Sequence, residues 1–492
     1  MALLLGGFFS LAGVPPAPAQ AQTPLRGYYD DGFILETEDG AFQLRVRGNL
    51  HLDTRLSRSE TPGAVESFDI RRARIDLLGR VYERVTFRLQ SELAGSPYLR
   101  NAWTDWRFGA GLRVRWGQMK VPFSASWLTQ GNQVNFVERG TARPVHPFFD
   151  RGFVVWGELL DRVVTYEAGV FTGVGIDADV PSGDVDSGKE WAGRLFLRPF
   201  LHAGGSLLEG LAVAVGGTWA GLSVPTSRYE TRGHRSANFA SALWRWRTEQ
   251  VLGTDGHVVD RVAAEIASRR RLGVELHYVR GPLALSTELL EVQYDGVAIH
   301  HDFYVGSTRV AHVPLVERSG SVRSWSTWAS YYLTGESKPV IGGGWQTARP
   351  ERRVGEGGPG AVELLARYSR TASDPALFDA VTVAGLPSGA AELPAGYTGA
   401  TPGAGNSVTA AVLDGAHAVN EVTVGVNWAV NPNVRVQLNN VFLWAPTADR
   451  DGDGTNDNLL VSGAFTAQSD PELRYRRTEW ENAVMLRLIF TL

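Results

Sequence analysis

The sequence has no cysteine among its 492 residues. That excludes a disulfide scaffold, Cys-ligated metal and thiol chemistry. It also lacks any internal run approaching the ~18 consecutive apolar residues that a spanning helix needs. Net charge is small, −4, which argues against a nucleic-acid partner. Lysine is scarce, so the basic charge is almost all arginine. No nucleophile elbow, P-loop, H-E-x-x-H or dinucleotide fingerprint is present. No repeat occurs at a solenoid or propeller period. The pair His300-His301 and the run Asp69-Ile70-Arg71 have no recognisable catalytic spacing, and His300-His301 reads as exposed loop sequence.

What the chain does have is alternation. The segment Thr478–Leu492 places Trp480, Val484, Leu486, Leu488, Phe490 and Leu492 on one parity and Glu479, Glu481 and Arg487 on the other. A soluble sandwich would turn the apolar parity inward. A transmembrane β-barrel turns it outward to lipid and leaves the polar parity around a water-filled lumen. The same period of two recurs along the whole chain. Phe42–Asp53, Arg72–Gly79, Val85–Glu92, Leu112–Gly117 and Val434–Asn439 all show it.

Sixteen such segments begin near residues 42, 68, 84, 100, 111, 151, 162, 189, 210, 269, 282, 322, 360, 419, 433 and 478. An even number is what single-chain bacterial barrels use. The connections segregate as well. Val81–Glu83, Gly109-Ala110, Leu160-Asp161, Gly281 and Asn431-Pro432 are short. Gln118–Asp150, Leu222–Ser268, Val297–Ser321, Thr371–Ala418 and Ala445–Arg477 are long. Short turns at one end and long loops at the other are the asymmetry of an outer-membrane barrel. Gly335–Pro359 breaks the rule: it should be a short turn and is long.

The expected fold is therefore all-β, a 16-stranded antiparallel transmembrane β-barrel with short periplasmic turns and long outer loops. Residues 1–21 read as a signal peptide, with an apolar run at Met1–Val14 and an A-x-A site at Ala19–Ala21. The positive n-region is missing, as expected if the natural start lies upstream. Residues 22–40 read as a periplasmic N-terminal segment and 41–492 as the barrel.

Charge is uneven. Residues 41 to 155 hold 18 Lys plus Arg against 10 Asp plus Glu, a balance of +8, so the rest of the chain totals −12. Arg45, Arg47, Arg72, Arg74, Arg88, Arg113 and Arg115 fall on the lumen parity. Guanidinium groups lining a pore attract anions and grip phosphate or carboxylate oxygens through paired donors. The alternative is a mixed-charge lumen in which these arginines pair with Asp76, Glu92 and Asp105. Asp449, Asp451, Asp453 and Asp457, spaced D-x-D-x-D-G-x-x-D, can wrap one calcium ion. The twelfth position is Leu460, however, and the usual glutamate is missing. No other cofactor is indicated.

Several segments resemble the phosphate-selective porin O and P family. They are F-D-I-R-R-A-R-I-D-L-L-G (Phe68–Gly79), R-W-G-Q-M-K-V-P-F-S (Arg115–Ser124), Phe136–Gly140 with Arg143 beyond it, Y-L-T-G-E (Tyr332–Glu336), G-A-V-E-L-L-A-R-Y-S-R (Gly360–Arg370) and V-G-V-N-W-A-V-N-P-N-V-R-V (Val424–Val436). The resemblance implies a sixteen-stranded, trimeric outer-membrane channel for small anions such as phosphate or polyphosphate. It carries over Arg71, Arg72, Arg74 and Lys120 as anion-path residues. In porins the loop after strand five folds into the barrel. Here that loop, Gln118–Asp150, holds Lys120, Glu138, Arg139, Arg143 and His146, with Trp127, Phe136, Phe148 and Phe149 available to anchor it.

The expected function is a passive, anion-preferring diffusion channel with no chemical step. The rivals are a general porin with a mixed lumen, a barrel enzyme with a convergent Ser, His and acid, and a plugged structural or adhesive barrel.

Overall fold

The computed structural model describes residues 23–60, 65–95, 97–173, 188–225, 249–252, 258–306, 308–378, 381–384, 407–410, 416–449, 452–462 and 476–492. The expected signal peptide lies outside them.

Two short strands come first, β1 (Leu25–Tyr29) and β2 (Phe33–Thr37). Five follow before the longest described loop: β3 (Phe42–Ser59), β4 (Val65–Val81), β5 (Val85–Glu92), β6 (Tyr98–Arg107) and β7 (Arg113–Lys120). After it come β8 (Phe149–Leu159), β9 (Val164–Phe171), β10 (Glu190–Leu197) and β11 (Leu211–Pro225). A short β12 (Glu249–Leu252) precedes three long strands, β13 (Val258–Arg280), β14 (Leu283–Val305) and β15 (Thr308–Tyr332). A small hairpin, β16 (Val340–Ile341) and β17 (Gly344–Trp345), leads to β18 (Ala361–Ser373). Next are the hairpin β19 (Val381–Ala384) with β20 (Ser407–Ala410), then β21 (Ala418–Asn431) and β22 (Val434–Trp444). The pair β23 (Leu460–Ser462) and β24 (Arg476–Thr478) precedes the last strand, β25 (Trp480–Thr491).

Nineteen strands share one sheet. Setting aside the appended β1, β2 and β12 leaves sixteen, each antiparallel to its neighbours. The sheet closes because β25 pairs with β3, from Thr491↔Asn49 to Glu481↔Ser59. Closure leaves the barrel no open edge in which backbone groups would go unpaired.

Side-chain parity has the sense of a membrane barrel. Trp116 (72% exposed), Leu272, Leu289, Val424 and Leu486 face out, while Asp105, Arg487 and Gln437 face in and are fully buried. A sandwich would show the reverse. The short turns are tight. Tyr82 and Glu83 adopt positive φ of 46° and 59°, and Leu160 and Asp161 of 52° and 50°. These left-handed residues let the chain reverse within three residues between Val81 and Val85 and four between Leu159 and Val164.

Within residues 22–40, β1 and β2 form a hairpin, and β2 pairs with β3 at Gln43–Val46, on the edge that β25 occupies further up. Two expectations need correction. Val297–Ser321 is not a loop. β14 and β15 continue as one ribbon to a turn at Gly306, through bulges near Asp295-Gly296 and at Leu315. Each bulge shifts the alternation by one residue, so the sequence pattern looks broken where the strand persists. His300 and His301 accordingly lie in a strand and are buried.

Candidate functional site

The chain between β7 and β8 enters the barrel and crosses it. Its short helix α1 (Ala125–Leu128) is capped by Ser124, whose side chain accepts from Trp127 N. The next free helix donors reach the far wall. Ala125 N donates to Glu275 Oε2 and Ser126 N to Glu288 Oε1, each at 2.7 Å. These carboxylates satisfy backbone groups that a helix start leaves unpaired. At the other end, Val137 N donates to Asn439 Oδ1 (2.7 Å), and Gln437 Nε2 reaches the carbonyls of Val134 and Asn135, both at 3.1 Å. Gly216 on β11 admits the loop backbone: a Cβ there would stand 2.2 Å from Phe123 O.

A second segment meets the loop from the short-turn end. The long connection Gly335–Pro359 carries β16 and β17 and folds inward rather than turning. Trp345 is 2% exposed, packs edge-on against Trp328 at 4.6 Å, and its backbone N–H donates to Thr129 Oγ1 at 3.0 Å. Thr347 N donates to Gln133 Oε1 at 2.8 Å. This accounts for the length that the turn rule left unexplained.

Between the loop and the wall of β4–β7 lies a cavity of about 480 Å³. Nine basic side chains line it, Arg71, Arg72, Arg74, Arg88, Arg100, Arg115, Lys120, Arg139 and Arg143, against three acids, Glu92, Glu138 and Glu167. Two bulges aim part of this set. Arg71 is the extra residue where His51↔Arg72 is followed by Leu52↔Ile70. Arg100 is the extra residue where Gln90↔Asn101 is followed by Ser91↔Leu99. Arg71 can thus share the lumen side with Arg72 and Arg74. Arg100 escapes a reading of the sequence because strict parity turns it outward.

The partners divide these cations. Four pair with carboxylates. Arg71 Nε is 3.1 Å from Glu138 and Arg74 Nε 2.7 Å from Glu92. Arg88 grips Asp76 with two donors at 2.8 and 2.6 Å. Arg115 holds Asp105 at 2.9 Å and stacks on Trp103 at 4.5 Å. Four others have only neutral acceptors among the described residues. Arg72 faces His51 Nδ1 at 3.2 Å, and Arg100 donates to the Tyr98 hydroxyl. Arg139 donates to Thr129 O at 2.6 Å. Lys120 Nζ donates to the carbonyls of Trp127, Leu128 and Thr129 at 2.6, 3.2 and 2.8 Å.

Three of the arginines that parity places on the lumen side are not among the residues lining this cavity. Arg45 and Arg47 do not line the cavity: they point to Asp30 (3.6 Å) and Asp31 (3.1 Å) in the β1–β2 turn. Arg113 joins Arg115 on Asp105, at 2.7 Å, and also stays outside the lining.

Ser126, His146 and Glu288 do converge, but not in catalytic order. His146 Nε2 is 3.0 Å from Ser126 Oγ, the hydroxyl donates to Glu288, and His146 Nδ1 has no hydrogen-bond partner among the described residues. A catalytic acid would orient the imidazole rather than take the serine proton.

In the acidic loop, Asp449 accepts from Gly452 N (2.7 Å) and Gly454 N (3.0 Å), and Asp453 accepts from Thr455 N at 2.7 Å. Asp451 lies outside the described residues. Among those described, Asp449, Asp453 and Asp457 do not gather into a metal-holding group.

A sequence model of phosphate-selective porin O and P matches residues 44–451, most of the chain. The chain belongs to this family. The family places it in the bacterial outer membrane as a channel. No curated protein matches the sequence. Among solved structures, OmpT of Vibrio cholerae is similar at 10% identity over 93% of this chain and 100% of that one, with a TM-score of 0.48. An anion-selective porin from Comamonas acidovorans is similar at 11% identity over 92% and 100%, again with a TM-score of 0.48.

Proposed function

We propose that this family member is a passive diffusion channel that prefers anions, and that inorganic phosphate or a short polyphosphate is its solute class. The observation that carries the reading is the cavity with nine cations and three acids, four of the cations holding only neutral acceptors. A buried charge without a counter-charge is costly. Such groups make sense where a mobile ion supplies the missing charge. Guanidinium forks suit tetrahedral oxyanions because two donors fit two oxygens. The carbonyl-bound Lys120 and Arg139 place charge at the cavity without forming a permanent ion pair.

Arg71, Arg72, Arg74, Arg88, Arg100, Arg115, Lys120, Arg139 and Arg143 are the anion path in this reading. Arg45, Arg47 and Arg113 act as structural cations. The loop between β7 and β8 is the constriction, and Gly335–Pro359 supports it from the periplasmic side. Residues 1–21 are a signal peptide, and the working unit is a homotrimer embedded in outer-membrane lipid.

Reversal potentials in planar bilayers, measured across a KCl gradient and then with phosphate replacing chloride, test the proposal. Anion-over-cation permeability with phosphate block of chloride current is expected. Equal permeability would favour the mixed-charge porin, and no conductance at all would remove the channel.

A further inference from the structure

The β14–β15 ribbon reaches well past the barrel. β14 has 23 residues, whereas a tilted spanning strand needs about 9–11. Near its tip three chemically matched side chains meet. His300 and Asp302 stand two residues apart on one face of β14, and His312 stands directly across from Asp302 on β15. Asp302 Oδ1 is 2.7 Å from His312 Nδ1, and Asp302 Oδ2 is 3.2 Å from His300 Nε2. All three donor atoms lie within 4.8 Å of one another.

We infer that His300, Asp302 and His312 form a binding site for a divalent transition metal, with Zn²⁺ the natural probe. The spacing fits. Metal–ligand bonds of about 2.0 Å in a tetrahedron place neighbouring donors about 3.3 Å apart; His300 Nε2 stands 3.2 Å from Asp302 Oδ2, and the three donor atoms already lie within 4.8 Å of one another. Two imidazoles and one carboxylate suit zinc or its neighbours and do not suit calcium or magnesium, which take oxygen ligands.

A second observation points to a ligand. His300 is 2% exposed, and its Nε2 has Asp302 Oδ2, 3.2 Å away and poorly aligned for a hydrogen bond, as its nearest acceptor among the described residues. A buried imidazole nitrogen left so costs free energy unless something binds it. Glu265 Oε1, 3.9 Å from that nitrogen, is placed to move in as a fourth ligand. Arg309 is 3.6 Å from Asp302 Oδ2 but half exposed, so it can swing away. His312 is 43% exposed and leaves the site open to solvent on one side. A bound ion ties β14 to β15 and stiffens the ribbon beyond the membrane. This site is separate from the anion cavity and does not depend on the channel reading.

The test uses the full-length protein in detergent, stripped with EDTA and dialysed against ZnCl₂. Zinc content is read by atomic emission and affinity by competition with a chromogenic chelator. One zinc per chain is expected, with binding weakened at least ~10-fold in His312→Gln and in His300→Gln. Retained folding is checked by heat-modifiable gel mobility. His312, being partly exposed, keeps the test usable if the His300 variant does not fold. No retained zinc in the unaltered protein overturns the site, and so does zinc binding that His312→Gln leaves unchanged.

Discussion

Lys120 and Arg139 donate to one carbonyl oxygen, that of Thr129, at 2.8 and 2.6 Å. Two cations from different parts of the chain are thereby held side by side without a carboxylate. Lys120 uses all three donors on the end of α1, since Trp127 and Leu128 carbonyls take the other two. Lys120→Met should take this donor from the Trp127 and Leu128 carbonyls, while Thr129 O keeps Arg139, and remove a cavity charge. Each buried acceptor left without a donor costs about 1–3 kcal/mol. The expected outcome is a lower melting temperature together with reduced anion permeability.

Among the described residues Arg72 and Arg100 donate to neutral acceptors and hold no carboxylate, so their replacement by Gln should leave the fold intact. In a watery pore, a charge about 4 Å from the ion contributes about 1 kcal/mol, roughly fivefold in occupancy. Each variant should move the reversal potential toward zero, and the pair together further than either alone.

Glu138 acts in the opposite sense. Its Oε1 receives Arg55 at 2.9 Å and Arg71 at 3.1 Å, with Arg487 at 3.5 Å. Glu138→Gln removes an acid from the cavity and should raise anion preference. It should also loosen the loop, by about 1–3 kcal/mol once its partial exposure is discounted. More open-channel noise alongside the selectivity gain is the signature to look for.

Trp345 props the loop from beneath, so Trp345→Ala should cost about 3–5 kcal/mol. The barrel itself should persist by circular dichroism. Single-channel conductance should rise as α1 loses its floor.

Gly216→Val should displace the start of the loop, because the added Cβ would sit 2.2 Å from Phe123 O, a backbone atom that cannot rotate aside. Conductance should increase and ion selectivity fall, with the sheet unchanged.

The barrel is legible in the sequence because alternation of period two survives wherever strands are regular. β22 and β25 read directly, Leu438 and Leu486 outward and Gln437 and Arg487 inward. Legibility ends where one residue is added. The Arg71 and Arg100 bulges turn side chains that parity assigns to the other face. Asp295-Gly296 and Leu315 hide the upper half of the β14–β15 ribbon, and with it the setting of His300. Arg45 and Arg47 have the right parity but stand beside the β1–β2 turn, whose fold over β3 has no period to announce it. Contacts such as Trp345 on Thr129 join residues 216 positions apart, and no local pattern encodes that meeting.

The seam between β3 and β25 sets the order of assembly. Arg487 clasps Asp53 with two donors at 2.6 and 2.7 Å, across 434 positions of chain. Neither residue can find its partner until the final strand arrives, so the ring acquires this clamp only in its last act. Loop-closure entropy over that distance makes the step slow. A chain shortened by a single terminal strand would have every other staircase rung in place and still stand as an unbuckled belt.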